Sequence, residues 1–417
     1  MSEPAEDAAL VRHSSFRQNV ADARFEAFAD RPGSRVASAD EFEQMRTHLT
    51  ALYHGVEVEH SFVDPAGQVF DCVPIAQQPS LKGQSIAPST PPSLLTIAGA
   101  PVPTPATVRP ASPAAAVDRF GNSMACPPGH IPMRRVTLEE MTRFRSLDEF
   151  RSKGPARQAV DPSVPVADAR LNHRYAYTQQ DVANFGAHNF VSLWSPVIGD
   201  KQIFSLAQHW YSGGTGGAHQ TLEVGWQVYP QKYGHSEPVL FIFWTNDNYV
   251  ASRNYNLENP GFVQTNPAWR IGGALTPVSS DGGAGRELEI TVYLHDGNWW
   301  LFVGGLDVAN AVGYFPASIY NGGAMATTAA QVLFGGETVC ELAGTWPAMG
   351  SGHLAEEGWQ HAAYQRDIFI FPTGGGAQYA AVVGQSPAAP CYTQIVGRAA
   401  PPWNTYFFFG GPGGGDC

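Results

Sequence analysis

Two glutamates stand in strand-like, tryptophan- and glycine-rich sequence: Glu223 in HQTLEVGWQVYP and Glu337 in VLFGGETVCEL. A carboxylate on an apolar sheet is costly unless it is paired, hydrogen-bonded or used. If two such groups face one cleft, their mutual repulsion separates their pKa values. One then stays ionised to take a proton from water, and the other keeps a proton to donate. Strand parity puts Glu223, Gly225, Gln227 and Tyr229 on one face, read as a polar cleft floor, and Leu222, Val224, Trp226 and Val228 on the opposite, core face. Around Glu337 it groups Glu337 with Val339 and Glu341, and sets Thr338, Cys340 and Leu342 opposite, so Cys340 reads as a buried, inert thiol.

Other constellations are weaker. HExxH and GxSxG are both absent. Ser351 and His353 are two apart in strand-like sequence, which seldom makes a nucleophile and its base; His353 reads as a structural or cleft-lining hydrogen-bonder. Glu356 and Glu357 are adjacent and diverge, leaving one, Glu356, to line a site. Trp226, Trp244, Trp299 and Trp300 serve either the core or an aromatic cleft of the kind that binds proline or sugar. His209, His219 and His295 are scattered, and no Cys/His set has zinc-ligand spacing, so neither a metal nor another cofactor is expected.

The elements that must carry these residues fall into two parts. All ten tryptophans lie between Trp194 and Trp403. Before them, residues 38–53 read as a helix with a Ser38/Glu41 capping box and an apolar face of Phe42, Met45, Leu49 and Leu52. VFDCVPI reads as a short strand, and residues 77–117, rich in Pro, Ala and Ser, as loop. A second helix starts near Thr137, capped reciprocally with Glu140 and stapled by Val136 and Met141. Residues 151–169 read as an exposed linker. From about residue 173 short strands follow one another, including a hairpin turned at Asp296-Gly297 between ELEITVYLH and WWLFVGG. Many short strands with glycine-rich turns predict an all-β antiparallel sandwich or barrel.

Charged residues are 15% of the chain, against a usual quarter, so this is a folded and not a disordered chain. Its formal net charge of -12 argues against nucleic acid as a partner. Lysine is confined to Lys82, Lys153, Lys201 and Lys232. No apolar run is long enough for a membrane helix, and the N-terminus lacks a signal peptide's apolar core. The cysteines, Cys72, Cys126, Cys340, Cys391 and Cys417, are compatible with two disulfides and one free thiol.

The chain resembles the neprosin family of secreted glutamic peptidases. The resemblance runs in order through CPPGHIPMRR (126–135), SLAQHW (205–210), LEVGWQVYPQKYG (222–234) and FIFWTNDNY (241–249). It continues through YNLENPGFVQT (255–265), DGNWWLFVG (296–304), VGYFPASIY (312–320), LFGGETV (333–339), MGSGHLAEEGW (349–359) and YFFFGGPG (406–413). The resemblance implies a propeptide over about residues 1–150, an activation linker at 151–172 and a catalytic β-sandwich from 173 to 417. It makes Glu223 and Glu337 the catalytic pair, and it implies a secreted zymogen acting at acid pH on peptides and proteins at proline. Gln227, Trp226, Trp244, Tyr229, His353 and Glu356 become candidates for binding or orienting substrate. The propeptide is then an intramolecular inhibitor, the protein a monomer off the membrane, and the disulfides Cys72–Cys126 and Cys391–Cys417. Plant members carry two further cysteines near the positions of Arg253 and Glu258, so a looser loop is expected there. Two other classes fit an acidic pair in an aromatic cleft: a polysaccharide-active hydrolase or lyase, and a noncatalytic carbohydrate-binding module in which the two glutamates lie apart.

Overall fold

The computed structural model describes residues 13–83, 88–94, 117–154, 173–341, 345–385, 390–415 and 417. Of the linker expected to be exposed at 151–169, residues 151–154 are instead packed in, with Arg151 ending a helix and Ser152 4% exposed; the rest lies outside the described residues, as does most of the proline-rich stretch within 77–117.

The N-terminal part is a small α+β module. Helices α1 (His13–Asp22) and α2 (Glu26–Ala29) precede α3 (Ala39–Tyr53). Ser38 caps α3 by accepting from the Glu41 amide at 3.2 Å. This is one of the two bonds expected of a capping box. Phe42, Met45 and Leu49 on its inner face are fully buried, each contributing about 1.5–3 kcal/mol relative to exposure. Strands β1 (Ser61–Val63), β2 (Val69–Pro74) and β3 (His130–Arg134) form an antiparallel sheet in that order. A disulfide joins Cys72 of β2 to Cys126 ahead of β3. Helix α4 (Leu138–Met141) carries the full Thr137/Glu140 capping box, and α5 (Leu147–Arg151) is capped by Ser146. Helices α1 and α5 escaped the sequence reading. Each buries so few residues, Phe16 and Val20 in one and Phe150 in the other, that no periodic stripe is visible.

The rest is one connected, wholly antiparallel sheet folded into two facing layers. Its strands are β4 (His173–Ser192), β5 (Gln202–Gly213), β6 (Gln220–Val228), β7 (Val239–Thr245), β8 (Asn254–Tyr255) and β9 (Val263–Gln264). They continue with β10 (Glu287–His295), β11 (Asn298–Val303), β12 (Ala311–Pro316), β13 (Ala329–Cys340), β14 (Ala363–Pro372) and β15 (Gln378–Tyr379). The last are β16 (Val383–Gln385), β17 (Thr393–Arg398) and β18 (Thr405–Gly410). One layer runs β8-β7-β6-β5-β13 to the first half of β4; the second half of β4 lies between β10 and β14 in the other. The turn between the two halves is at Gly186, whose φ is +135° and where a Cβ would fall 1.9 Å from the Val292 carbonyl oxygen. The short helix α6 (Pro230–Tyr233) follows β6. The expected Asp296-Gly297 turn joins β10 to β11 with both residues left-handed.

The layers meet through core-facing residues that reach across for backbone acceptors. Trp226 donates to the Ser192 carbonyl at 2.8 Å and Tyr211 to that of Ala187 at 3.3 Å. Burial pushes the Cys340 thiol up to about 11, in keeping with an inert core cysteine. A second disulfide links Cys391 to Cys417. The module packs on the outer face of the first layer, with Phe144 set edge-on against Tyr229.

Candidate active site

Ladder register brings the two glutamates to one face. Glu223 on β6 pairs with Trp210 on β5, and Glu337 on β13 pairs with Leu206 on the same strand. They therefore stand on the strands flanking β5. Both are buried, at 2% and 1% exposure.

The group between them comes from the module. Lys153, two residues beyond α5, places its ammonium on Glu223 Oε2 and 2.5 Å from Glu337 Oε2. The carboxylates thus lie within two hydrogen-bond lengths of each other, against the noncatalytic reading that set them apart. Burial works against the ammonium, but the two carboxylates outweigh it and raise its pKa. Burial alone would push the Glu337 carboxyl up; Lys153 and His173 reverse this and hold it at about 2.

Each glutamate has its own further partners. His173 Nδ1 lies 2.7 Å from Glu337 Oε1, and the Tyr175 hydroxyl donates to the same oxygen at 3.3 Å. Glu223 Oε1 accepts from Tyr249 at 3.0 Å and from Thr221 at 3.2 Å. Tyr249 reaches Glu223 because Asn248 and Tyr249 both adopt left-handed φ, 57° and 62°, in a loop whose amides converge on Asp247. A tyrosine in that conformation is strained and needs such support. Burial and the adjacent Glu223 push the Tyr249 pKa well up, so the phenol keeps its proton.

Lys153, His173, Tyr175, Tyr249 and Gln208, whose Oε1 is 3.4 Å from the Lys153 ammonium, were missed by the sequence reading. The scarcity of lysine was the available signal for Lys153: of four in the chain, Lys153 and Lys232 are both buried against carboxylates. For Tyr249 it was the turn-forming TNDN ahead of it.

Several candidates lie elsewhere. Trp226 is fully buried between the layers and belongs to the core. Trp244 pairs with Leu222, so it shares the face opposite Glu223, and it packs near Tyr320. Tyr229 follows the end of β6 and is buried between Phe144 and Phe204. Gln227 does share the face of Glu223, but its amide donates to the Tyr255 hydroxyl at 3.1 Å. His353 pairs with Glu357 and Asp281, and Glu356 accepts from Thr393; all belong to a separate cluster. The loop expected to be loose is instead tied to the module. Arg253 pairs with Asp148 and donates to Ser152 at 2.8 Å. Glu258 lies 3.0 Å from Arg134 and 2.9 Å from Lys232.

A family model described as Neprosin matches residues 201–412, just over half of the chain, including both glutamates. The chain is also similar to a solved Scytalido-glutamic peptidase with a peptide-based transition state analog, at 10% identity and a TM-score of 0.32, over 58% of this chain and 97% of that one. A structure of SCP-B, a member of the Eqolisin family of peptidases, in complex with the tripeptide Ala-Ile-His is similar at 10% identity and a TM-score of 0.30, over the same shares. With its family match spanning the strands that carry Glu223 and Glu337, the chain belongs to the neprosin family of peptidases.

Proposed function

We propose that the protein is the latent form of a glutamic endopeptidase, in which the N-terminal module blocks the reacting groups. The observation that carries this reading is the Lys153 ammonium held between Glu223 and Glu337. A buried cation seated on an oxygen of each carboxylate fills the place where water must stand, so the pair cannot act on a peptide.

The module's last described residue is Gly154 and the body's first is His173. A cut in the intervening segment would free the module with its lysine. Two carboxylates this close cannot then both stay charged at little cost, so one takes up a proton. Glu337 is the better base because His173 and Tyr175 remain beside it to support its charge. Glu223 keeps hydroxyl neighbours, Tyr249 and Thr221, and suits the protonated role. Glu337 takes a proton from water as the oxygen attacks the scissile carbonyl, while Glu223 protonates the developing oxyanion. On collapse Glu337 returns its proton to the leaving nitrogen, Glu223 recovers its own, and the C–N bond breaks. Such a pair works only while it holds one proton, which sets activity in acid.

Tyr177 and Trp210 lie 5.8 Å apart on the cleft face, with Trp210 directly across from Glu223. Aromatic faces of this kind suit a proline ring beside the scissile bond. The two disulfides fit an oxidising compartment outside the cytosol. Among the described residues no helix is long and apolar enough to cross a membrane.

The test is acid treatment of the full chain followed by incubation with a proline-containing peptide and mass-spectrometric mapping of the products. Cleavage at proline that disappears in E337Q supports the reading. No peptide cleavage, or undiminished cleavage by E337Q, overturns it.

A further inference from the structure

We propose that Gln208 is a third catalytic residue, which holds the attacking water by the proton that Glu337 does not take. The inference rests on the glutamate-pair reading and adds a member to it.

Gln208 sits on β5, the strand between the two that carry the glutamates. It pairs with Gly225 on β6 and with Gly335 on β13. Glu223 and Glu337 are each one cleft-facing position away, in opposite directions along the ladder. The amide is therefore diagonal to both carboxylates, a spacing that long side chains bridge. Neither flanking position can hold a side chain. A Cβ on Gly225 would fall 2.0 Å from the Ala207 carbonyl oxygen, and one on Gly335 2.5 Å from that of Ala176. The glycines thus leave the amide clear access to the space between the carboxylates.

The Lys153 ammonium marks the shared point. It contacts Glu223 Oε2, Glu337 Oε2 and, at 3.4 Å, Gln208 Oε1, three acceptors for its three protons. A water at that point gives one proton to Glu337 and directs the other to Gln208 Oε1. Its lone pair then faces the carbonyl carbon, whose oxygen accepts from protonated Glu223. The proton facing Gln208 stays on oxygen as the new C–O bond forms, so the proton balance of the glutamate pair is unchanged. A neutral amide suits this place because it accepts without competing for the proton.

The opposite layer braces Gln208. Buried Gln365 on β14 donates from Nε2 to the Gln208 carbonyl at 3.1 Å and to that of Gly335 at 3.5 Å. Its own Oε1 accepts from Asn189 at 2.5 Å. Gln208 is 1% exposed with the module in place.

The test uses full-length Q208L, Q208E and E337Q, each cut in trans by a trace of activated wild-type enzyme. Rates on a proline-containing peptide, their pH profiles and thermal unfolding are compared. Q208L should lose about a hundredfold in kcat with KM and unfolding temperature near wild type, the scale of a misplaced reacting group. Q208E adds a third carboxylate and should move the pH–kcat profile to higher pH. A Q208L kcat within threefold of wild type overturns the proposal. If Q208L does not fold, an unshifted Q208E profile overturns it instead. Retained activity in E337Q overturns the glutamate-pair reading itself, and so separates the two failures.

Discussion

Two buried ionic clusters join the module to the body, and they are built differently. At the candidate active site, one lysine from the module, Lys153, faces two body glutamates, Glu223 and Glu337. At the edge of the same layer, Arg134 and Glu140 of the module meet Lys232 and Glu258 of the body, two cations against two carboxylates. The second cluster is balanced and tightly partnered. Lys232 also donates to the Phe150 carbonyl at 3.0 Å and lies over the Phe150 and Tyr255 rings. The first holds more carboxylate than lysine charge, and a proton can replace its lysine. On the proposed reading, the contrast separates a contact that would block chemistry and could be given up from one that would hold the module in register until it leaves.

The largest effect should come from the carboxylates of the first cluster. E337Q and E223Q should each lower kcat by roughly 10²–10⁴ after cutting in trans, with unfolding temperature little changed. Unfolding of both variants, or activity in either, would break the catalytic assignment. In the second cluster, E258Q leaves Lys232 buried without its carboxylate and should destabilise the full chain by about 3–5 kcal/mol. Once the module is cut away, its kcat should match wild type within about twofold, since its charges lie off the reacting atoms. If E258Q lowered kcat as far as E337Q does, the distinction between the clusters would collapse.

The glutamates were legible because unusual motifs surround them, and parity correctly separated Glu223 from Trp226. Parity within one strand does not give register between strands. Sequence alone therefore leaves Trp244 a cleft candidate, and its pairing with Leu222 is what turns it away from the cleft. His353 and Glu356 lay in a family motif but at a distant turn. Lys153 belongs to a short helix end with no periodicity, and its role depends on a contact some 70 residues away in sequence. Tyr249 depends on a left-handed loop that hydrophobic pattern does not encode. The all-β body followed from repeated strand-and-turn sequence, but the passage of β4 from one layer to the other rests on a single glycine.

Smaller changes sharpen the contrast. K153M keeps the stem and removes the charge, so the uncut chain should gain activity at pH 4 by about tenfold, equivalent to 1.4 kcal/mol of lost blocking energy. An uncut K153M chain as silent as wild type would show that the lysine is not the block. Y249F removes one hydroxyl from Glu223 and should lower kcat about three- to tenfold, less than either glutamate variant. A kcat equal to wild type would remove Tyr249 from the site.

Acid should loosen both clusters, and the sign is the same in each. The Glu337 carboxyl is held at about 2, below its ordinary 4.5, while Lys153 is in place. Its contribution to docking is therefore complete above about pH 4.5 and falls away as pH drops toward 2. Glu258, whose burial is outweighed by Lys232 and Arg134, is likewise depressed and acts in the same direction. His48 on α3 is kept neutral mainly by burial, and its protonation on release adds to the acid lability.

The most direct test of the central claim follows the intact chain at pH 7 and at pH 3–4 by gel, N-terminal sequencing and hydrolysis of a proline-containing peptide. Activity should appear in acid, in step with a fragment that begins between about residues 155 and 172, so that the cut carries Lys153 away with the module. Equal and full activity of the uncut chain at both pH values would contradict the account, because Lys153 would then not be holding the glutamate pair silent.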